Sequence, residues 1–150
     1  MRKLMIGTIA AAIGSAGWIT AANAELLSAT RPVIALLGGD LYVGSAVGHL
    51  SGAGTLAIHS QKNPALTCLG QFTSSAALGG SGQMLCSDGT TATFKFQRLS
   101  VFRGYGDGST SRGSMTFSYG LTAEQAVSYL KLPEGKKLMG NGTELAMIDL

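Results

Sequence analysis

The sequence predicts an all-β fold, mainly an antiparallel meander of hairpins forming a small barrel or sandwich, with one short α-helix near the C-terminus. Three observations predict it. Short runs of alternating apolar and polar residues recur through residues 41–148, separated by Gly-, Ser- and Asn-rich turns. A single stretch, residues 122–132, carries helix signals. The two cysteines, Cys68 and Cys86, fall opposite one another when the segment between them is folded as a hairpin.

The first 24 residues read as a cleaved signal peptide. Arg2 and Lys3 form a basic head, residues 4–19 an apolar stretch, and Ala22-Asn23-Ala24 a small-x-small cleavage pattern. Gly7, Gly14 and Gly17 interrupt the apolar stretch, which is at the short end of the ~17–25 residues of a spanning helix. The residue directly after the cut is Glu25 and not cysteine, which argues against a lipid anchor. The expected product is residues 25–150, periplasmic or secreted, and not an integral membrane protein. Without Arg2 and Lys3 it carries nine basic and eight acidic residues, net +1. The pI near 9.0 does not mark a nucleic-acid binder. The basic residues are scattered, and Lys136-Lys137 is the only adjacent pair beyond the cut.

The elements follow in order. Residues 25–40 are apolar around Arg31-Pro32 without clear periodicity, a lead-in or an edge strand preceding a single β-rich domain over 41–150. Residues 41–60 fold about Gly52-Ala53, which pairs Leu50 with Thr55, His49 with Leu56 and Val47 with Ile58. Residues 67–87 fold about Ala77, which sets Cys68 opposite Cys86, Leu69 opposite Leu85, Gln71 opposite Gln83 and Phe72 opposite Gly82. In TATFKFQ, Ala92, Phe94 and Phe96 share one face. Residues 101–120 fold near Ser109-Thr110, with Phe102 facing Phe117. Thr122 as N-cap and Gln125 three later form a capping box, Ala123, Ala126, Val127 and Leu130 an apolar stripe, and Pro133 a stop. The helix should lie on the sheet or plug one barrel end. Residues 136–148 turn on Asn141-Gly142, pairing Leu138 with Leu145. The glycine pairs Gly48/Gly54, Gly70/Gly82 and Gly104/Gly113 read as bulges and tight bends in a curved sheet.

In an oxidising compartment two cysteines read as one disulfide. Opposed strand positions are within bridging distance, and the chain-entropy model assigns such a loop about 3 kcal/mol. No CxxC, HxH or third cysteine is present to hold zinc or do redox work, so no metal and no cofactor are expected.

Candidate contact residues are few. His49 falls, in the register above, with Val43, Val47, Leu56 and Ile58, as a ligand contact or as a satisfied core histidine. Serines abound, but G-x-S-x-G is missing beyond residue 24 and no Ser–His–Asp arrangement is evident. Asp40, Asp88 and Asp107 each adjoin glycine, where aspartate is a turn former first. No enzyme is expected. Tyr42, Tyr105, Tyr119 and Tyr129 offer partner-binding area. Tyr105, Asp107 and Arg112, with His49, are the candidate ligand or partner contacts.

RPVIALLGGDLYVGSAVGHLSGAGTLAIHS, TCLGQF, LCSDGTTATFKFQRLS and YLKLPEGKK together resemble a family of uncharacterised small exported proteins of Gram-negative bacteria, over most of residues 31–137. That family carries no established activity and implies no catalytic residue. CSDGTTATFKF is also similar to periplasmic C-type lysozyme inhibitors, small disulfide-bearing β-barrels. The Ser-Gly-x-x-Tyr inhibitory loop is lacking, and SRGSMTFSY is a poor substitute.

The sequence therefore points to a non-catalytic module of the cell envelope, binding or structural, with an envelope protein, a cell-wall component or a hydrolase as possible partner. The alternatives are an inhibitor of a cell-wall hydrolase or protease, acting through residues 106–113 or 74–82, and a barrel that binds a small ligand. Intact mass of the exported protein, alkylated without reduction, is expected to begin at Glu25 and show no alkylated cysteine. Two alkylated cysteines would refute the disulfide.

Overall fold

A computed structural model describes residues 28–75 and 78–150. The expected signal peptide, residues 1–24, and the expected pivot at Ala77 lie outside the described residues. Eight antiparallel strands form a closed up-and-down barrel, each hydrogen-bonded to its chain neighbours and the first to the last. They are β1 (Ser28–Leu37), β2 (Asp40–His49), β3 (Ala53–Ser60), β4 (Thr67–Ser75), β5 (Gly79–Cys86), β6 (Thr91–Ser100), β7 (Arg103–Thr110) and β8 (Gly113–Tyr119). Closure leaves no sheet edge. The segment expected as a lead-in or edge strand is the closing strand, with Val33 opposite both Gly44 and Tyr119.

The missing periodicity of β1 has a physical cause: the strand is buried on both faces. Val33, Ala35 and Leu37 point into the barrel. Ile34 and Leu36 point outward, beneath the C-terminal segment, with Leu41 and Val43 of β2. That segment contains α1 (Ala123–Ala126), a 3-10 turn (Val127–Tyr129), and a two-stranded sheet of β9 (Lys136–Met139) and β10 (Ala146–Asp149). It covers the outer wall and plugs neither end. Leu121, Ala126, Leu130 and Leu145 are its buried anchors. The capping box forms as expected, Thr122 accepting from the Gln125 amide and Gln125 from the Thr122 amide. The α-helical part is shorter than residues 122–132, and Val127 is exposed. The Lys131 amide donates to Thr116 Oγ1 at 3.1 Å, fastening the segment to β8.

Registers follow expectation where both arms alternate cleanly. Cys68 opposes Cys86, Leu69 opposes Leu85, Gln71 opposes Gln83 and Phe72 opposes Gly82. Cys68 and Cys86 are disulfide-bonded and face inward. Elsewhere the pivot moves. β2 pairs β3 with Val47 opposite Thr55 and Gly44 opposite Ile58, three positions from the expected register. The Gly52 amide donates to the His49 carbonyl with Gly52 at φ 93°, the geometry of a type I turn closed by a left-handed glycine. β7 and β8 turn at Ser111-Arg112, so Phe117 faces Gly106 and Phe102 stays in the β6–β7 turn. β9 and β10 set Leu138 opposite Met147, because the chain between them makes a 3-10 turn (Gly142–Glu144).

Of the six glycines expected at bulges and bends, Gly54, Gly82 and Gly104 are seats for rings, as are Gly80, Gly106 and Gly108. Phe72 lies opposite Gly54 and Gly82, Phe94 opposite Gly82 and Gly108, and Phe96 opposite Gly80 and Gly106. Phe117 lies opposite Gly106 and Tyr119 opposite Gly104. The inward face of β7 is glycine at Gly104, Gly106 and Gly108, which lets rings on β6 and β8 tilt over its backbone. Contact of ring with ring is edge to face: Phe94–Phe117 at 5.3 Å, Phe72–Phe96 at 5.7 Å and Phe96–Tyr119 at 5.8 Å between centroids.

A Cβ at Gly106 would lie 2.1 Å from the Lys95 carbonyl oxygen and 2.6 Å from Phe117 Cζ. Gly106→Val is therefore expected to destabilise the fold by about 3 kcal/mol. Nothing lies within 4 Å of a Cβ at Gly48, so Gly48→Ala is expected to be close to neutral. Urea midpoints at constant slope would check the contrast, and equal losses would refute the seating.

Candidate functional site

The barrel is filled at one end and hollow at the other. At the filled end Ala35, Leu37, Tyr42, Met84, Ala92 and the disulfide meet in the core. Toward the other end lies a cavity of about 550 Å³. Its walls are Val33, Leu56, Ile58, Phe94, Met115 and Phe117, with Phe72, Phe96 and Tyr119 nearer the mouth. The strand directions account for these levels. β4, β6 and β8 all run from the filled end to the mouth, so Phe94 and Phe117 precede Phe96 and Tyr119 in chain and in depth.

The mouth lies between the β2–β3 and β6–β7 turns, where Leu50, Ser51, Gly52, Val101 and Phe102 line it. Arg31 and Arg98 also line the cavity. The Arg31 guanidinium sits 4.4 Å from the Phe102 ring centroid and donates to the Thr30 carbonyl at 2.9 Å. Arg98 continues the inward set of β6 two positions beyond Phe96. Its Nη2 donates to Ser74 Oγ at 2.7 Å. Its Nε is buried with no hydrogen-bond partner. Burial pushes the Tyr119 phenol above its ordinary value, while the Arg98 charge pulls it down by less, so the hydroxyl stays protonated.

The residues singled out from sequence do not converge. His49 is exposed at the end of β2, on the mouth's rim, and not on the face of Leu56 and Ile58. The three-position register shift, an odd number, moves it to the other face. Tyr105 and Asp107 are on the outside of β7. Tyr105 donates to Gln97 Oε1 at 2.9 Å and stacks on Tyr129 at 4.2 Å between centroids. Arg112 is at the opposite end, where its Nη1 meets Asp88 Oδ2 at 2.7 Å across the β5–β6 and β7–β8 turns. Residues 106–110 belong to β7, so the expected inhibitory loop reduces to the Ser111-Arg112 turn. Among the described residues no three His, Cys, Asp or Glu side chains cluster as metal ligands.

Arg98, Arg31 and Ser74 escaped the sequence reading. A signal was present: in TATFKFQR the inward positions Ala92, Phe94 and Phe96 are followed by Arg98, a charge where the pattern calls for an apolar residue. Comparisons with protein-family models, curated proteins and solved structures find no match to the chain.

Asp88 anchors the filled end. The Thr90 amide, which donates to its carboxylate at 2.9 Å, is the main cause that holds its pKa below the ordinary aspartate value, and Arg112 adds to it. A depressed carboxylate contributes stability that is present above the unfolded pKa and lost as pH falls through the folded one. Stability is therefore expected to decline on acidification below about pH 4, and the decline is expected to be shallower in Asp88→Asn. Denaturation midpoints of both proteins across that range check this, and parallel curves would refute it.

Proposed function

We propose that the protein is an exported, non-catalytic carrier that takes one small apolar or amphipathic molecule into the open half of its barrel. The observation that carries this reading is the cavity of about 550 Å³, within the ~300–1,000 Å³ range of small-molecule sites. Eight strands enclose an interior just wide enough to be filled by side chains or to hold one small ligand. Here the rings tilted over glycine line the part of that interior that stays unfilled. The outside supports a life in water: Thr55, Gln71, Gln83, Thr93 and Ser109 form an outward polar row across five strands, where a lipid-facing barrel would be apolar. The disulfide is in keeping with export to periplasm or medium.

A second reading, docking of the mouth on an envelope surface, draws on Leu50, Leu78 and Val101. They are 81%, 81% and 67% exposed, on three turns at the same barrel end. Such a rim suits a carrier that loads or unloads against another surface.

The neutral fluorophore N-phenylnaphthylamine is expected to bind the protein saturably. Ala46 lines the cavity, and Ala46→Phe is expected to weaken that binding by about tenfold or more while the variant keeps a cooperative unfolding transition. Unsaturable uptake, or full affinity in Ala46→Phe, would overturn the reading.

A further inference from the structure

We propose that the molecule held in the cavity is a single-chain amphiphile bearing one carboxylate, its chain among the rings and its head on Arg98. The inference rests on the carrier reading and names the chemistry of its ligand.

Charge balance within the cavity sets the head group. Arg98 brings a permanent positive charge to the inward face of β6, half-buried and bordered by apolar walls. Its one side-chain partner is the neutral hydroxyl of Ser74, whose own proton goes to the Gly52 carbonyl at 3.1 Å. Its Nε has no partner. A charge withdrawn from water is strongly disfavoured unless an opposite charge meets it. No residue that lines the cavity supplies one: its ionisable residues are Arg31, Arg98, His49 and Tyr119. The carboxylates of the described residues lie elsewhere. Asp40 and Asp88 belong to the filled end, Asp107 to the outer wall of β7, and Glu124, Glu134, Glu144 and Asp149 to the C-terminal segment. Arg31, spread over the Phe102 ring at the mouth, adds a second positive charge on the path inward.

The rest of the cavity sets the body of the ligand. Below Arg98 the walls are Phe96, Phe94, Phe117, Met115, Leu56, Ile58 and Val33, with no polar group suited to a second head. A planar guanidinium matches a carboxylate in shape and charge, and the protonated Tyr119 hydroxyl adds a neutral donor at the same level. One anionic head above one apolar chain is the chemistry that satisfies both halves.

Calorimetric titration of the protein with decanoate, decanol and decyltrimethylammonium separates head from chain. Decanoate is expected to bind at least about tenfold more tightly than decanol, and the cation to be rejected. Arg98→Gln is expected to bring decanoate down to the level of decanol and leave decanol unchanged. Added salt is expected to weaken decanoate alone, a measurement that needs no variant. Equal binding of decanoate and decanol would overturn the carboxylate while leaving the carrier reading in place. Failure of both would overturn the two together. Flotation with phosphatidylglycerol and phosphatidylcholine vesicles forms a further arm. Binding to the anionic vesicles that is lost in Arg98→Gln, with decanoate no better than decanol, would assign Arg98 to a membrane headgroup and refute the proposal.

Discussion

The seating of aromatic rings on glycine is the constraint on which the rest of the barrel depends. The interior of an eight-stranded barrel is just wide enough for side chains to fill, so inward rings on neighbouring strands compete for the same space. The chain resolves this by setting a glycine opposite each of Phe72, Phe94, Phe96, Phe117 and Tyr119. Each ring then leans over its neighbour's backbone and meets the next ring edge to face. Glycine in a strand is disfavoured by roughly 0.5–1 kcal/mol, and ring burial offsets it. The same arrangement fixes register, since a slip of one residue would drive a ring into backbone and turn the polar outer row inward.

Register, in turn, sorts the molecule into its two halves. Tyr42, Leu37 and Met84 with smaller side chains and the disulfide close one end, and the Asp88–Arg112 ion pair ties its turns together. At the other end the rings seated over glycine, Phe72, Phe94, Phe96, Phe117 and Tyr119, line the cavity. The C-terminal segment takes no part in either. It covers the seam around β1, where the barrel closes and where Ile34, Leu36, Leu41 and Val43 would otherwise face water.

How much of this the sequence discloses depends on how many ways each stretch can be folded. Residues 67–87 alternate on both arms and carry two cysteines, so one register satisfies every constraint, and it is the observed one. Around Gly48, Gly52 and Gly54 several pivots are equally permitted, and the choice of Gly52-Ala53 displaced His49 onto the wrong face. In GDGSTSRG any of several turns is chemically sound. What decides between them is the match of Phe117 and Tyr119 to Gly106 and Gly104, a criterion of packing and not of turn chemistry. The strand β1 hid because burial on both faces erases alternation. The cavity hid for a different reason: a void is set by how side chains from distant strands stack, which no single stretch of sequence displays.

Closure of β1 against β8 also sets the order in which the chain can fold. The disulfide hairpin joins residues only 18 apart, and every other neighbouring strand pair is a local hairpin. The contacts of Val33 with Tyr119 and of Leu37 with Met115 are the long-range exception. They cannot form until the whole of residues 28–119 is available, and closure over that length is opposed by more chain entropy than any of the local hairpins. Until then VIALL, the most apolar stretch of the barrel, is left with an unpaired edge, the kind of segment that drives misassociation. The chain's exposure to aggregation is thus concentrated at its first strand, and the last barrel strand is what removes it.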